Sequence, residues 1–89
     1  FTSPRFIVES VIPEEGAVRV NIRWNRPPDS ESELKRAALN ALLEIQTTAG
    51  KQVRLSVWCR DSDAEDISGY AFYSPLSDTY HFRLPGENQ

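Results

Sequence analysis

A chain of 89 residues with 39% apolar and 26% charged side chains holds enough material for one packed core, too little for two, and is too apolar for a disordered tail. Its net charge of −3 argues against a generic nucleic-acid coat, and the lack of any long apolar run excludes a membrane-spanning helix. Cys59 is the only cysteine, so no disulfide can form within the chain.

Arg5 to Ile12 reads as a strand with Phe6, Val8 and Ile12 on one face and Ile7, Glu9 and Val11 on the other. Apolar residues on both faces predict an inner strand of a sheet. Pro13-Glu14-Glu15-Gly16 reads as a turn, since Pro fixes φ and Gly tolerates a positive one. Val18, Val20, Ile22 and Trp24 then alternate with Arg19, Asn21, Arg23 and Asn25, the period of a strand with one buried and one wet face. The two strands are expected to pair as an antiparallel hairpin.

Pro27 and Pro28 cannot continue a ladder. Ser30 followed three residues later by Glu33 is a capping box and marks a helix start. Leu34, Ala38, Ala41, Leu42 and Ile45 recur at helical spacing, with Leu39 and Leu43 widening the apolar stripe and Lys35, Arg36, Asn40 and Glu44 opposite. Gly50 is placed to end the helix. Val53, Leu55, Val57 and Cys59 alternate with Arg54, Ser56, Trp58 and Arg60 as a third strand. After the acidic stretch from Asp61, Tyr70 to Ser74 and Thr79 to Leu84 read as two aromatic-rich strands joined at Pro75-Leu76-Ser77-Asp78. The predicted fold is an α+β two-layer sandwich. A mainly antiparallel sheet of about five strands, in the order β-β-α-β-β-β, carries one helix on one face and leaves the other open.

The helix pattern Leu34, Ala38, Leu42, Ile45, the strand from Val53 to Trp58, and the closing Gly69-Tyr70-Ala71-Phe72-Tyr73-Ser74-Pro75 resemble small α+β domains of unknown function in bacterial envelope and phage-related proteins. The resemblance covers about the last two-thirds of the chain and implies the fold alone. The chain opens at Phe1 and contains no Met, which predicts a processed product or a domain excised from a longer, bacterial protein. Its residues do not choose between cell envelope, periplasm and cytoplasm.

Strand parity nominates one surface. With Val18, Val20, Ile22, Val53, Leu55, Val57, Tyr80, Phe82 and Leu84 turned to the helix, Arg19, Arg23, Arg54, Trp58, Arg60, His81 and Arg83 turn outward. If Tyr70 and Phe72 face the helix, Tyr73 joins the outer set. Guanidinium groups pair bidentately with carboxylate or phosphate, and Trp58 and Tyr73 would offer flat rings for stacking. A plainer reading is that the arginines cover an exposed sheet, stacking on Trp58 and pairing with Glu9. A protein partner or a second copy of the chain ranks ahead of nucleic acid, because Trp, Tyr and Arg are typical interface anchors and the loops are acidic.

Other constellations are weaker. Asp61-Ser62-Asp63-Ala64-Glu65-Asp66 resembles a calcium loop but has Asp66 and Phe72 where Gly and a bidentate Glu are needed, so a solvated acidic loop is expected. Cys59 and His81 have opposite parity and should lie on opposite faces, which denies them a nucleophile–base pairing. No Gly-rich phosphate loop or Ser-centred elbow is present. The residues therefore predict a non-enzymatic binding or accessory module with no cofactor and no metal. The open face would serve protein contact or self-association, with single-stranded nucleic acid or another polyanion on the same Arg/Trp face as the alternative.

Overall fold

The computed structural model describes residues 5–26, 28–61 and 67–85. Five strands form one sheet in chain order: β1 (Phe6–Glu14), β2 (Ala17–Trp24), β3 (Arg54–Arg60), β4 (Ile67–Ser74) and β5 (Thr79–Arg83). The helix α1 (Glu31–Ala49) connects β2 to β3 and packs over β3, β4 and β5. This is the expected two-layer α+β sandwich. Three of the strand pairs are antiparallel, and β2 runs parallel to β3, as a helical crossover between neighbouring strands requires. No described helix is long and apolar enough to cross a membrane.

Local chemistry explains each boundary. Gly16 at φ 72° closes the β1–β2 hairpin, so the turn is Glu15-Gly16 and Glu14 pairs with Ala17. The Ser30 hydroxyl accepts the Glu33 N–H at 3.2 Å, and the Glu33 carboxylate accepts the Asp29 N–H at 3.0 Å, a cap worth about 1 kcal/mol. Gly50 ends the helix at φ 86°. Leu34, Ala38, Ala41, Leu42 and Ile45 are buried as the periodicity requires. Leu43 is not: it is exposed, and the buried neighbour at that end is Gln46, whose Oε1 accepts the Tyr80 hydroxyl at 2.6 Å. Beneath the helix, Val20, Ile22, Trp24, Leu55, Val57 and Cys59 are almost wholly buried.

Two strands depart from the expected pattern. β1 is an edge strand, not an inner one. A register shift between Val8 and Ser10 reverses the parity of the rest of the strand, so Val11 lies opposite the inward Val20 and Ile12 opposite the outward Arg19. Because α1 lies over β3 to β5, Val11 on the helix side of β1 stays 56% exposed, and Ile7 and Ile12 on the other side are exposed as well. A bulge and Pro13 within one strand blunt this edge against pairing with a further strand: Pro13 lacks a donor, and the bulge breaks the ladder. β4 begins at Ile67, inside the predicted loop, and its parity is the reverse of the one assumed for Tyr73.

Tyr73 is 3% exposed and points to the helix side, together with Gly69 and Ala71, whereas Tyr70 and Phe72 point outward. The reason is crowding on that side, first by the Phe82 ring of β5 and then by Leu34 of α1. A Cβ at Gly69 would stand 2.8 Å from Phe82 Cζ and 3.4 Å from Leu34 Cδ2, so only the small member of each alternate pair fits under α1. Tyr73 is accommodated near the strand's end, where its hydroxyl donates to Asp78 Oδ1 at 2.7 Å; this bond, with burial, raises its pKa to about 12. Tyr73 therefore leaves the candidate outer surface, and Tyr70 and Phe72 join it.

Candidate functional site

The register lines the uncovered face into cross-strand rows. Ile12, Arg19, Ser56, Phe72 and His81 make one row, and Ser10, Asn21, Trp58, Tyr70 and Arg83 the next. Ile7, Arg23, Arg60 and Ile67 make the third, and Arg54 stands beside Ala17 at the hairpin end. Seven of the eight nominated residues, all but Tyr73, thus share one surface. Asn21, Tyr70 and Phe72, which parity reasoning did not nominate, lie among them.

The rings in these rows stand upright and stack on one another. Trp58 and Tyr70 have centroids 4.5 Å apart at 10°, and Phe72 and His81 have theirs 4.9 Å apart at 21°. Parallel rings this close must overlap face to face, since side-by-side rings in one plane would collide. The other face of Trp58 carries the Arg19 guanidinium, 4.0 Å from the ring centroid. Its indole N–H donates to Ser56 Oγ at 3.2 Å. Both faces of Trp58 are occupied, so this ring offers an edge to a partner. The flat platform expected from the sequence is absent at Trp58, and at Tyr73 the ring is inside.

Electrostatics set the second feature. The bulge in β1 brings Glu9 onto this face, where its carboxylate accepts from Arg23 Nε at 2.7 Å and from Arg60 Nη2. Those two hydrogen bonds hold the Glu9 carboxyl below its usual pKa of 4.5. Next to it Asn21 donates to Ser10 Oγ at 2.8 Å and accepts from Arg19 Nε at 3.3 Å. A shallow groove of about 330 Å³ runs among Glu9, Ser10, Arg19, Asn21, Arg60 and Ile67. The plainer sequence reading is thus met at Arg19, Arg23 and Arg60. Arg54 and Arg83 pair with no described carboxylate, although Arg83 lies 5.8 Å over the Phe72 ring.

The Glu9 bridge gives a first expected outcome. A depressed carboxyl stabilises the fold above its unfolded pKa and loses that contribution as pH falls through its folded value. Glu9→Gln should therefore lower stability by up to about 1 kcal/mol at neutral pH, the range of a solvent-screened pair. The gap from the parent should close in acid. Urea midpoints at neutral and strongly acidic pH read this, and an equal gap at both would show that charge pairing is not the cause.

Chemistry elsewhere is sparse. Cys59 is fully buried under the helix while His81 is exposed on the opposite face, so the two cannot act together. Burial, and secondarily the nearby Asp61 charge, push the Cys59 thiol up to about 12. Among the described residues no group of three or more His, Cys, Asp or Glu side chains could hold a metal ion. The acidic stretch after Asp61, including Asp63, Glu65 and Asp66, lies outside the described residues. No family model matches the chain, and neither a curated protein nor a solved structure does.

Proposed function

We propose that this domain is a non-enzymatic binding module whose uncovered sheet face meets a protein partner or a second copy of the chain. The observation that carries this reading is the ordered surface of arginines and mutually stacked rings on the side that α1 leaves bare. Arg and aromatic side chains dominate interface anchors, and here most are already held by neighbours, so little side-chain freedom is lost on binding. Ile7 and Ile12, exposed at the β1 margin of the same face, add apolar area of the kind an interface buries. A partner presenting carboxylates would complement Arg54 and Arg83.

The alternative, a single-stranded nucleic acid or other polyanion, draws support from charge. Five arginines occupy this face against Glu9 and, at its hairpin end, Glu14, in a chain of net charge −3. Ring geometry favours protein, because bases stack on open ring faces and those of Trp58 are filled.

Sedimentation of the parent against a Trp58→Ala, Arg54→Ala double variant tests self-association, and binding to a captured protein tests a foreign partner. Association should weaken in the variant while its circular dichroism stays that of the parent. Identical association in both proteins removes the proposal. Titration with a single-stranded oligonucleotide at two salt concentrations separates the alternative, whose affinity would fall steeply with salt.

A further inference from the structure

The uncovered face is positive on an acidic chain. Arg19, Arg23, Arg54, Arg60 and Arg83 stand on it against Glu9 and Glu14, while the whole chain has a net charge of −3. A second copy laying the same face down in a two-fold dimer would set these arginines against themselves. Like charges brought together across an interface are disfavoured, so the complement to this surface is acidic. Both faces of the Trp58 ring are filled, which leaves bases no platform there and favours the carboxylates of a polypeptide over the phosphates of a nucleic acid.

One position on the face already holds such a carboxylate. The register of β1 against β2 passes from Val8 opposite Ile22 to Ser10 opposite Asn21 and leaves Glu9 without a partner. Glu9 is thus the extra residue of the bulge, and a bulge re-aims the side chain it carries. Here that side chain bridges Arg23 and Arg60 at the wall of the shallow groove of about 330 Å³. It is 26% exposed, so the bridge can open without disturbing the core. In the same groove, Arg19 is fixed by the Trp58 ring against its guanidinium and by Asn21 at its Nε. The terminal nitrogens of Arg19 meet no acceptor among the described residues.

We infer that the occupant of the uncovered face is an acidic polypeptide segment, one of whose carboxylates enters this groove to meet Arg19 and Arg60, with Glu9 as its resident competitor. The inference rests on the binding-module reading and chooses within it, a foreign acidic chain over a second copy. Glu9 keeps Arg23 and Arg60 oriented while the face is empty and gives up Arg60 when the partner's carboxylate arrives. Ile7 and Ile12, exposed on the same strand, meet an apolar residue of the segment.

The probe is a synthetic peptide of glutamate and alanine, with its glutamine–alanine counterpart as control. Binding is read by nuclear magnetic resonance at the indole Hε1 signals of Trp58 and Trp24, assigned with a Trp58→Phe variant. The glutamate peptide should move the Trp58 signal saturably, with a Kd on the order of 0.1–1 mM, and leave Trp24 in place; the control should move neither. Glu9→Gln should tighten binding about fivefold, the weight of one solvent-screened pair. Glu14→Gln makes the same change of charge at the hairpin end and should tighten it less than about twofold. Arg60→Ala should weaken it about tenfold. The inference is overturned if the glutamate peptide gives no saturable shift, if the two glutamine variants tighten binding equally, or if a single-stranded oligonucleotide of equal charge binds more tightly. A parent that sediments as a dimer, with the Trp58→Ala, Arg54→Ala variant a monomer, would overturn it too while leaving the binding-module reading intact. Association that the double variant leaves unchanged removes that reading and the inference with it.

Discussion

Replacing Trp24 by alanine is expected to cost about 3–5 kcal/mol, the range for deleting a buried aromatic. For a domain of this size that is a large part of the whole stability, so the variant should be substantially unfolded at ambient temperature. The cause is local and specific. Trp24 closes β2, is 2% exposed, and meets Phe6 edge-on with centroids 6.1 Å apart, so its loss also strips the first strand of its one well-covered anchor. Trp58→Ala should cost far less, because Trp58 stands on the wet face, half-buried, among side chains that water can reach. Trp24→Phe should lie between them, since it loses ring volume but also removes the unpaired indole donor. Urea midpoints of the three variants rank these effects. A Trp58→Ala protein as unstable as Trp24→Ala would mean that the sheet is not divided into a dry and a wet face.

Alkaline conditions should weaken the fold through Cys59. Burial holds its thiol at about 12 in the native state, against an ordinary 9.0. A group whose folded pKa is raised gives its full contribution below the unfolded value and loses it as pH climbs toward the folded one. Between pH 9 and 12, therefore, the unfolded chain releases a proton that the native chain retains, and each added pH unit favours unfolding. Near the middle of that window the loss should reach about 2 kcal/mol. Tyr73, also raised to about 12, acts in the same direction from its ordinary 10.0 upward. The fall in denaturation midpoint from below pH 9 to above it should be smaller in a Cys59→Ala variant than in the parent, and smaller still with Tyr73→Phe added, which separates the phenol. Equal slopes in parent and Cys59→Ala would assign the effect elsewhere. The same burial predicts that alkylating reagents label Cys59 only as fast as the chain opens.

How far the amino-acid order betrays this architecture depends on whether a segment carries one periodicity or two. β2 alternates apolar and polar residues without exception from Val18 to Trp24, and β3 does so from Leu55 to Arg60 with Trp58 as the one apolar residue on the wet side, so their faces follow from parity alone. The helix is legible because its cap, stripe and terminal glycine agree. β1 misleads because its apolar residues fall at both parities, and the bulge that reconciles them leaves no mark in the amino-acid order. β4 misleads because aromatics occupy both parities: Tyr70 and Phe72 outside, Tyr73 inside. The usable signal there is the pair of small residues, Gly69 and Ala71, which fall on the buried side, where Phe82 and Leu34 leave no room for a Cβ at Gly69. The position of α1 along the sheet depends on the crossover geometry, and with it the bareness of Val11; neither is encoded in a hydrophobic pattern.

That the strands lie side by side in the order in which they are made bears on how the chain finds this arrangement. Three of its four neighbouring pairs form across a short connection, and only the junction of β2 with β3 must wait for an intervening helix to fold back. Loop closure grows costly slowly with length, and topologies dominated by near-neighbour pairing are reached fast. The one neighbouring pair that must close a long loop is β2 with β3, joined across the helix.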